Sequence, residues 1–131
     1  MSDPFDLRTT HIHLGPGGRA HLLPDFEWSP ASMAAYGARF EGDAEGRLVT
    51  IFEQPGSWTT WERHPAGEEV VVLLSGRVDL VQEIDGEERR VPLEPLQAVV
   101  NPPGVWHTAD VHEPGFGLFI TPGQGTEHKP R

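Results

Sequence analysis

Gly56-Ser57-Trp58-Thr59-Thr60-Trp61-Glu62-Arg63-His64, Pro65-Ala66-Gly67, Glu68-Glu69-Val70-Val71-Val72-Leu73-Leu74 and Ser75-Gly76 read in order as strand, turn, strand and turn. In a strand, residues two apart share a face. Trp58, Thr60, Glu62 and His64 therefore point one way, and Thr59, Trp61 and Arg63 the other. The run Val70 to Leu74 does not alternate, so its outer face is expected to be covered as well as its inner one. A second sheet, the N-terminal segment or another subunit would each provide that cover.

Outward from this stretch the same grammar continues. Arg47 to Glu53 reads as a strand before it, and Arg77 to Ile84 as one after it. Asp85-Gly86, a preferred type I′ pair, turns the latter into Glu87 through Leu93. Ala98 to Val100, Val105 to Val111 and Phe116 to Thr121 bring the count to at least eight short strands. With 15 Gly and 13 Pro spread between them, the chain is expected to be all-β, a barrel or a sandwich. Upstream, His11 to Leu14 alternates like an edge strand. Ser29 as N-cap, Pro30 at the first helical position and Met33, Tyr36 and Phe40 near helical spacing predict a short helix, with Gly42 as its stop. The expected layout is one domain: an N-terminal extension over 1–46, its helix packed on the barrel, and the barrel itself over 47–131.

A chain of 131 residues supports one core rather than two. Ten basic against 20 acidic residues leave a net charge of −10. That surface repels phosphate backbones and anionic headgroups, so neither nucleic acid nor a membrane is expected as a partner. Absence of cysteine excludes disulfides, thiol catalysis and Cys-built zinc sites. The longest aliphatic run, Val70 to Leu74, is too short to span a bilayer. Met-Ser-Asp-Pro-Phe-Asp at the N-terminus lacks a basic region and an apolar one, so a cytoplasmic location is expected.

Glu62 and His64 share a strand face, Glu69 opens the next strand across the Pro65-Ala66-Gly67 turn, and His107 follows Pro102-Pro103-Gly104 at the start of a later one. Two oxygen and two nitrogen donors converging from three strands describe a divalent-metal site with room for water or substrate. Gly56-x5-Glu62-x-His64-x4-Glu69-x6-Gly76 resembles the first cupin motif, usually G-x5-H-x-H-x3–4-E-x6-G. Pro102-x-Gly104-x2-His107 resembles the second, usually G-x5-P-x-G-x2-H-x3-N. The resemblance covers roughly the last two-thirds of the chain and implies a jelly-roll barrel, or double-stranded β-helix. It implies His64, Glu69 and His107 as metal ligands. Three positions depart from the pattern: Glu62 replaces the leading histidine, Leu96 the first glycine of the second motif, and Val111 its closing asparagine.

Glu62 is a candidate replacement ligand; alternatively it bonds an outer group, leaving a three-ligand site or an empty pocket. Two imidazoles with two carboxylates form a harder set than three histidines, favouring Mn, Fe or Ni over copper with Zn also compatible, and their charge with M²⁺ is neutral. Trp58, Thr60, Gln82 and Phe119 are candidate pocket residues. Trp106 is expected on the side opposite His107, and His11 and His13 as an exposed strand pair. His21, His112 and His128 are expected at the surface, as is the tail from Gly125 unless it crosses to a dimer partner.

The resemblance implies a small metal-binding protein, with isomerase or dioxygenase chemistry on a small, polar, oxygen-rich molecule. Glu62 or Glu69 would move a proton. The alternative is a non-catalytic sensor that holds a metal or small molecule. A homodimer is expected in either case.

Overall fold

The computed structural model describes residues 3–131. Its eleven strands are β1 (His11–Leu14), β2 (Ala20–Leu23), β3 (Arg47–Gln54), β4 (Thr60–Arg63), β5 (Glu69–Leu73), β6 (Arg77–Ile84), β7 (Glu87–Leu93), β8 (Ala98–Asn101), β9 (His107–Glu113), β10 (Gly115–Thr121) and β11 (Glu127–Pro130); the helix α1 is Pro30–Arg39. The strands form two antiparallel sheets, one ordered β2-β1-β3-β10-β5-β8 and the other β11-β4-β9-β6-β7. This is the all-β jelly-roll barrel that the strand pattern and motifs imply.

Local chemistry explains the boundaries. Asp85 at φ 53° and Gly86 at φ 78° supply the two positive angles a type I′ turn needs, and Ile84 pairs with Glu87 across it. Ser29 Oγ accepts from Ser32 N at 3.3 Å, and Pro30 begins α1 as expected. The helix stops earlier than Gly42 would set, because Phe40 leaves helical geometry and its carbonyl accepts from Gln124 Nε2 at 3.0 Å. Tyr36 and Phe40 are buried with Leu23 and Leu48, and Phe26 and Trp28 pack alongside. The barrel interior holds Leu73, Val78, Leu80, Leu93 and Ala109.

Gly76, the closing glycine of the first motif, sits at φ 86°, and a Cβ there would meet the Glu113 and Pro114 backbone. Leu96 occupies the place of a motif glycine and keeps that backbone shape, with φ 72°, while 81% exposed. A left-handed leucine is strained and here buries little. Leu96→Gly is therefore expected to stabilise the protein by about 0.5–1 kcal/mol, read as a rise of a few degrees in Tm.

One expectation is corrected and two open ones are narrowed. His11 and His13 are not exposed: they are 3% and 1% accessible. His13 stacks on Phe40 at 3.7 Å, with Nδ1 2.6 Å from the Tyr36 hydroxyl and Nε2 2.7 Å from Asp43. Inward-facing positions of β1 are thus filled by imidazoles: both nitrogens of His13 find partners, whereas His11 packs against Phe26 and Phe52 with its Nδ1 unpaired. The tail lies at the surface, as expected, and pairs with its own chain: β11 lies along β4 with His128 opposite Glu62. Finally, the N-terminal segment does not cover Val70 and Val72. It extends the six-stranded sheet beyond β3, the other side from β5. Val100, opposite Val70 in register, stays 45% exposed.

Candidate metal centre

Glu62 lies on β4, His64 just past its end, Glu69 opens β5 and His107 opens β9. The β4–β9 register sets Glu62 against His107, and β5 brings Glu69 from the other sheet. One potential ligand atom from each of the four residues lies within 4.8 Å of the others. Their exposures are 7%, 2%, 1% and 0% for Glu62, His64, Glu69 and His107.

Hydrogen bonds behind the rings set which nitrogen faces inward. Thr126 Oγ1 donates to Gly123 O at 2.9 Å, so at 2.9 Å from His64 Nδ1 it accepts the ring proton. His107 Nδ1 stands 3.3 Å from the Val105 carbonyl, which can only accept. Both rings therefore carry a proton on Nδ1 and turn Nε2 into the cluster. His64 Nε2 is 2.9 Å from Glu62 Oε1 and 3.0 Å from Glu69 Oε2. His107 Nε2 is 3.5 Å from Glu62 Oε1 and 3.2 Å from Glu69 Oε1. Despite these separations neither Nε2 has an aligned hydrogen-bond partner, although both are buried. Donors that point between one another rather than at one another fit a cation among them.

The carboxylates differ in freedom. Glu69 is held at both oxygens: Asn101 Nδ2 donates to Oε1 at 3.0 Å and Thr121 Oγ1 to Oε2 at 2.6 Å. Gln82 Nε2 donates to Asn101 Oδ1 at 2.9 Å, fixing that amide's orientation. Glu62 turns only Oε1 to the imidazoles. Its Oε2 accepts from Trp28 Nε1 at 3.1 Å and lies 2.8 Å from Nε2 of half-exposed His128.

Electrostatics in the cluster oppose burial. Burial alone would lower the His64 and His107 pKa values, but the Glu62 and Glu69 carboxylates outweigh it and raise both to about 9. Burial would raise Glu62 and Glu69. The imidazoles facing them, favouring the charged carboxylate, instead hold Glu62 well below the usual carboxylate range and Glu69 down to about 2.

A cavity of about 270 Å³ opens beside the cluster, lined by Trp28, Thr50, Phe52, Glu53, Gln54, Trp58, Thr60, Glu62, Glu69, Phe119, Thr121 and His128. The four residues read as ligands thus come together, and Trp58, Thr60 and Phe119 line the cavity. Gln82 does not: its amide is used up behind Glu69, on Val100 O and Asn101. Trp106 lies away from the cluster, beneath Arg63 and Lys129. Sequence reasoning missed Trp28, Asn101, Thr121, Thr126 and His128. Asn101 had a local signal, since it directly precedes the Pro102 motif; the others reach the site through long-range packing.

The family described as "Cupin domain" matches residues 49–120, more than half of the chain. No curated protein matches it. A hydroquinone 1,2-dioxygenase in complex with Cd²⁺ and 4-hydroxybenzonitrile superposes with TM-score 0.51 at 17% identity, covering 57% of this chain and 56% of that one. The chain thus spans little more than half the length of that structure. An uncharacterized conserved protein with a double-stranded β-helix domain from Klebsiella pneumoniae subsp. pneumoniae gives 0.52 at 22% identity, with 65% and 76% covered. Bacillus subtilis oxalate decarboxylase, described with Mn(II) centers, gives 0.52 at 18%, with 65% and 23% covered. At these identities the likenesses establish the fold.

Proposed function

The chain belongs to the Cupin domain family, and on its buried Glu–His–Glu–His cluster we propose a protein that holds a divalent metal ion and binds a small oxygen-bearing molecule beside it. The observation that carries this reading is the pair of inward Nε2 atoms, buried between two carboxylates without an aligned hydrogen bond to either. Glu62, His64, Glu69 and His107 would hold the ion, and the harder donor set favours Mn, Fe or Ni, with Zn also accommodated. When bound, the ion would act as a Lewis acid toward substrate oxygen.

The chain's own residues divide the remaining work. Asn101 and Thr121 lock Glu69 in place. Glu62 lines the cavity and reaches half-exposed His128, which makes it the better placed of the two carboxylates to move a proton to or from a bound molecule. That arrangement suits isomerisation or oxygenation. The experiment is metal analysis of untagged protein loaded with Mn²⁺, Fe²⁺, Ni²⁺ or Zn²⁺ and then dialysed. About one ion per chain is expected, and no retained ion of any kind overturns the reading.

The proposal includes a homodimer and a cytoplasmic setting. The outer face of the six-stranded sheet is aliphatic across four strands: Ile51 and Val72 flank Leu118 in register, and Val70 lies between Ile120 and Val100. For a chain of net charge −10, this aliphatic patch, flanked on β3 by Arg47 and Glu53, is where a second copy meets least repulsion. Val72→Glu is expected to convert a species of twice the 14.5 kDa chain mass to monomer in light scattering. A wild type that is monomeric at high micromolar concentration rejects the dimer.

A further inference from the structure

Beyond oxygen ligation, the shape of the cavity points to the rest of the ligand. Four rings form an unbroken arc along its wall: Trp28 and Phe52 are 6.1 Å apart, Phe52 and Phe119 6.1 Å, and Phe119 and Trp58 6.2 Å. Neither indole is free to turn. Trp58 Nε1 donates to Gln54 Oε1 at 2.6 Å and Trp28 Nε1 to Glu62 Oε2 at 3.1 Å. The arc therefore stands as a fixed wall of ring faces and edges, tilted to one another by 69°, 53° and 37°, that begins beside Glu62. Thr50, opposite Phe119 in the β3–β10 register, lines the same cavity; it is 0% exposed, and its hydroxyl has no partner. A buried hydroxyl is rarely left unpaired, so a ligand group that bonds it would fill a vacant contact.

Size and charge narrow the class. A cavity of about 270 Å³ exceeds the ~150 Å³ that accepts benzene, which leaves room for one substituted ring rather than an extended molecule. No lysine or arginine lines it, while Glu53, Glu62 and Glu69 do. Among the lining residues only His128 can be cationic, and it already faces Glu62. A carboxylate or phosphate ligand would find no free countercharge.

We propose that the cavity takes a flat, single-ring aromatic molecule bearing neutral hydroxyls, stacked against the Trp28–Phe52–Phe119–Trp58 arc, with an oxygen pair toward the metal cluster and a further polar group toward Thr50. Only the oxygen end rests on the metal reading; the ring preference rests on the arc.

The test compares ligands that differ in one property at a time, using the full chain, Mn²⁺-loaded and metal-free. Catechol and cis-1,2-cyclohexanediol share a vicinal oxygen pair, salicylate adds a negative charge, and choline probes the arc as a cation cage. Affinity is read by calorimetry and tryptophan quenching, with metal content measured on the same samples. Catechol is expected to bind about tenfold more tightly than cyclohexanediol, the ratio that ring stacking supplies, and more tightly than salicylate, whose charge meets no free countercharge, and than choline, which has no ring. The same ranking, with weaker affinities, is expected without metal. Phe119→Leu and Phe52→Leu should each erase most of the preference for catechol over cyclohexanediol while leaving metal content unchanged. Equal affinity for the two diols, or tighter binding of salicylate or choline, overturns the inference and leaves the metal reading intact. Loss of metal retention with the ring preference preserved does the reverse.

Discussion

Replacing His107 by alanine abolishes retention of a stoichiometric ion, and His64→Ala does the same. Each ring supplies one of two nitrogen donors and is already held with Nε2 inward by a partner on Nδ1, whereas His128, the other imidazole nearby, stands on the outer oxygen of Glu62. Substitutions behind metal ligands typically weaken binding about 10–100-fold. Losing a ligand outright should exceed that, on the order of a thousandfold, whereas Asn101→Ala, which frees one oxygen of Glu69, should fall within the smaller range. Calorimetric titration with Mn²⁺ or Ni²⁺ separates the two magnitudes. His112→Ala, beside Asp79 on the outside, should change nothing. Circular dichroism of the metal-free variants distinguishes a lost ligand from a lost fold, because either alanine leaves two buried carboxylates facing a single imidazole. If His107→Ala retains its ion at wild-type affinity, the four-residue site is wrong.

The second large effect is on pH. With His64 and His107 raised to about 9, both rings are protonated in the metal-free protein at neutral pH and balance Glu62 and Glu69. Binding an ion then requires both Nε2 protons to leave, so M²⁺ exchanges for two protons at no change in charge. Apparent affinity should climb by roughly a hundredfold per pH unit between pH 7 and 8, where imidazoles titrating at 6.5 would give almost no slope. Calorimetry in buffers of different ionisation enthalpy counts the released protons directly: about two per ion is expected, and a value near zero refutes the exchange. Stability of the metal-free protein runs the other way. The raised imidazoles contribute fully below their ordinary 6.5, a contribution lost as pH rises through about 9. The lowered carboxylates contribute above their ordinary 4.5 and lose that contribution as pH falls toward about 2. The thermal midpoint without metal should therefore be highest between these limits and decline above neutrality, while excess metal counters that decline.

Much of the site is written locally. Alternation along β4 sets Glu62 and His64 on one face, a three-residue turn returns Glu69, and the resemblance to the second motif marks His107, so period and motif together suffice to name the four clustered side chains. What surrounds them is set by elements distant in sequence. His128 reaches Glu62 because β11 closes the five-stranded sheet beside β4, and Trp28 reaches it from the segment leading into α1. Neither pairing leaves a periodic trace. His11 and His13 show a related limit: alternation reports that two residues share a face, and an imidazole is equally at home in water or beneath an aromatic helix. Leu96 is the converse, a departure from the motif in residue type that preserves its backbone angle.

The segment between β10 and β11 touches two things at once. Gln124 closes the C-terminal end of α1, and Thr126, two residues on, fixes the tautomer of His64. Any rearrangement that lifts the helix must drag on the strap that orients this imidazole. The appendage outside the barrel is thereby mechanically geared to its centre, and the N-terminal forty-odd residues have a say in how firmly that ring is aimed at its three neighbours.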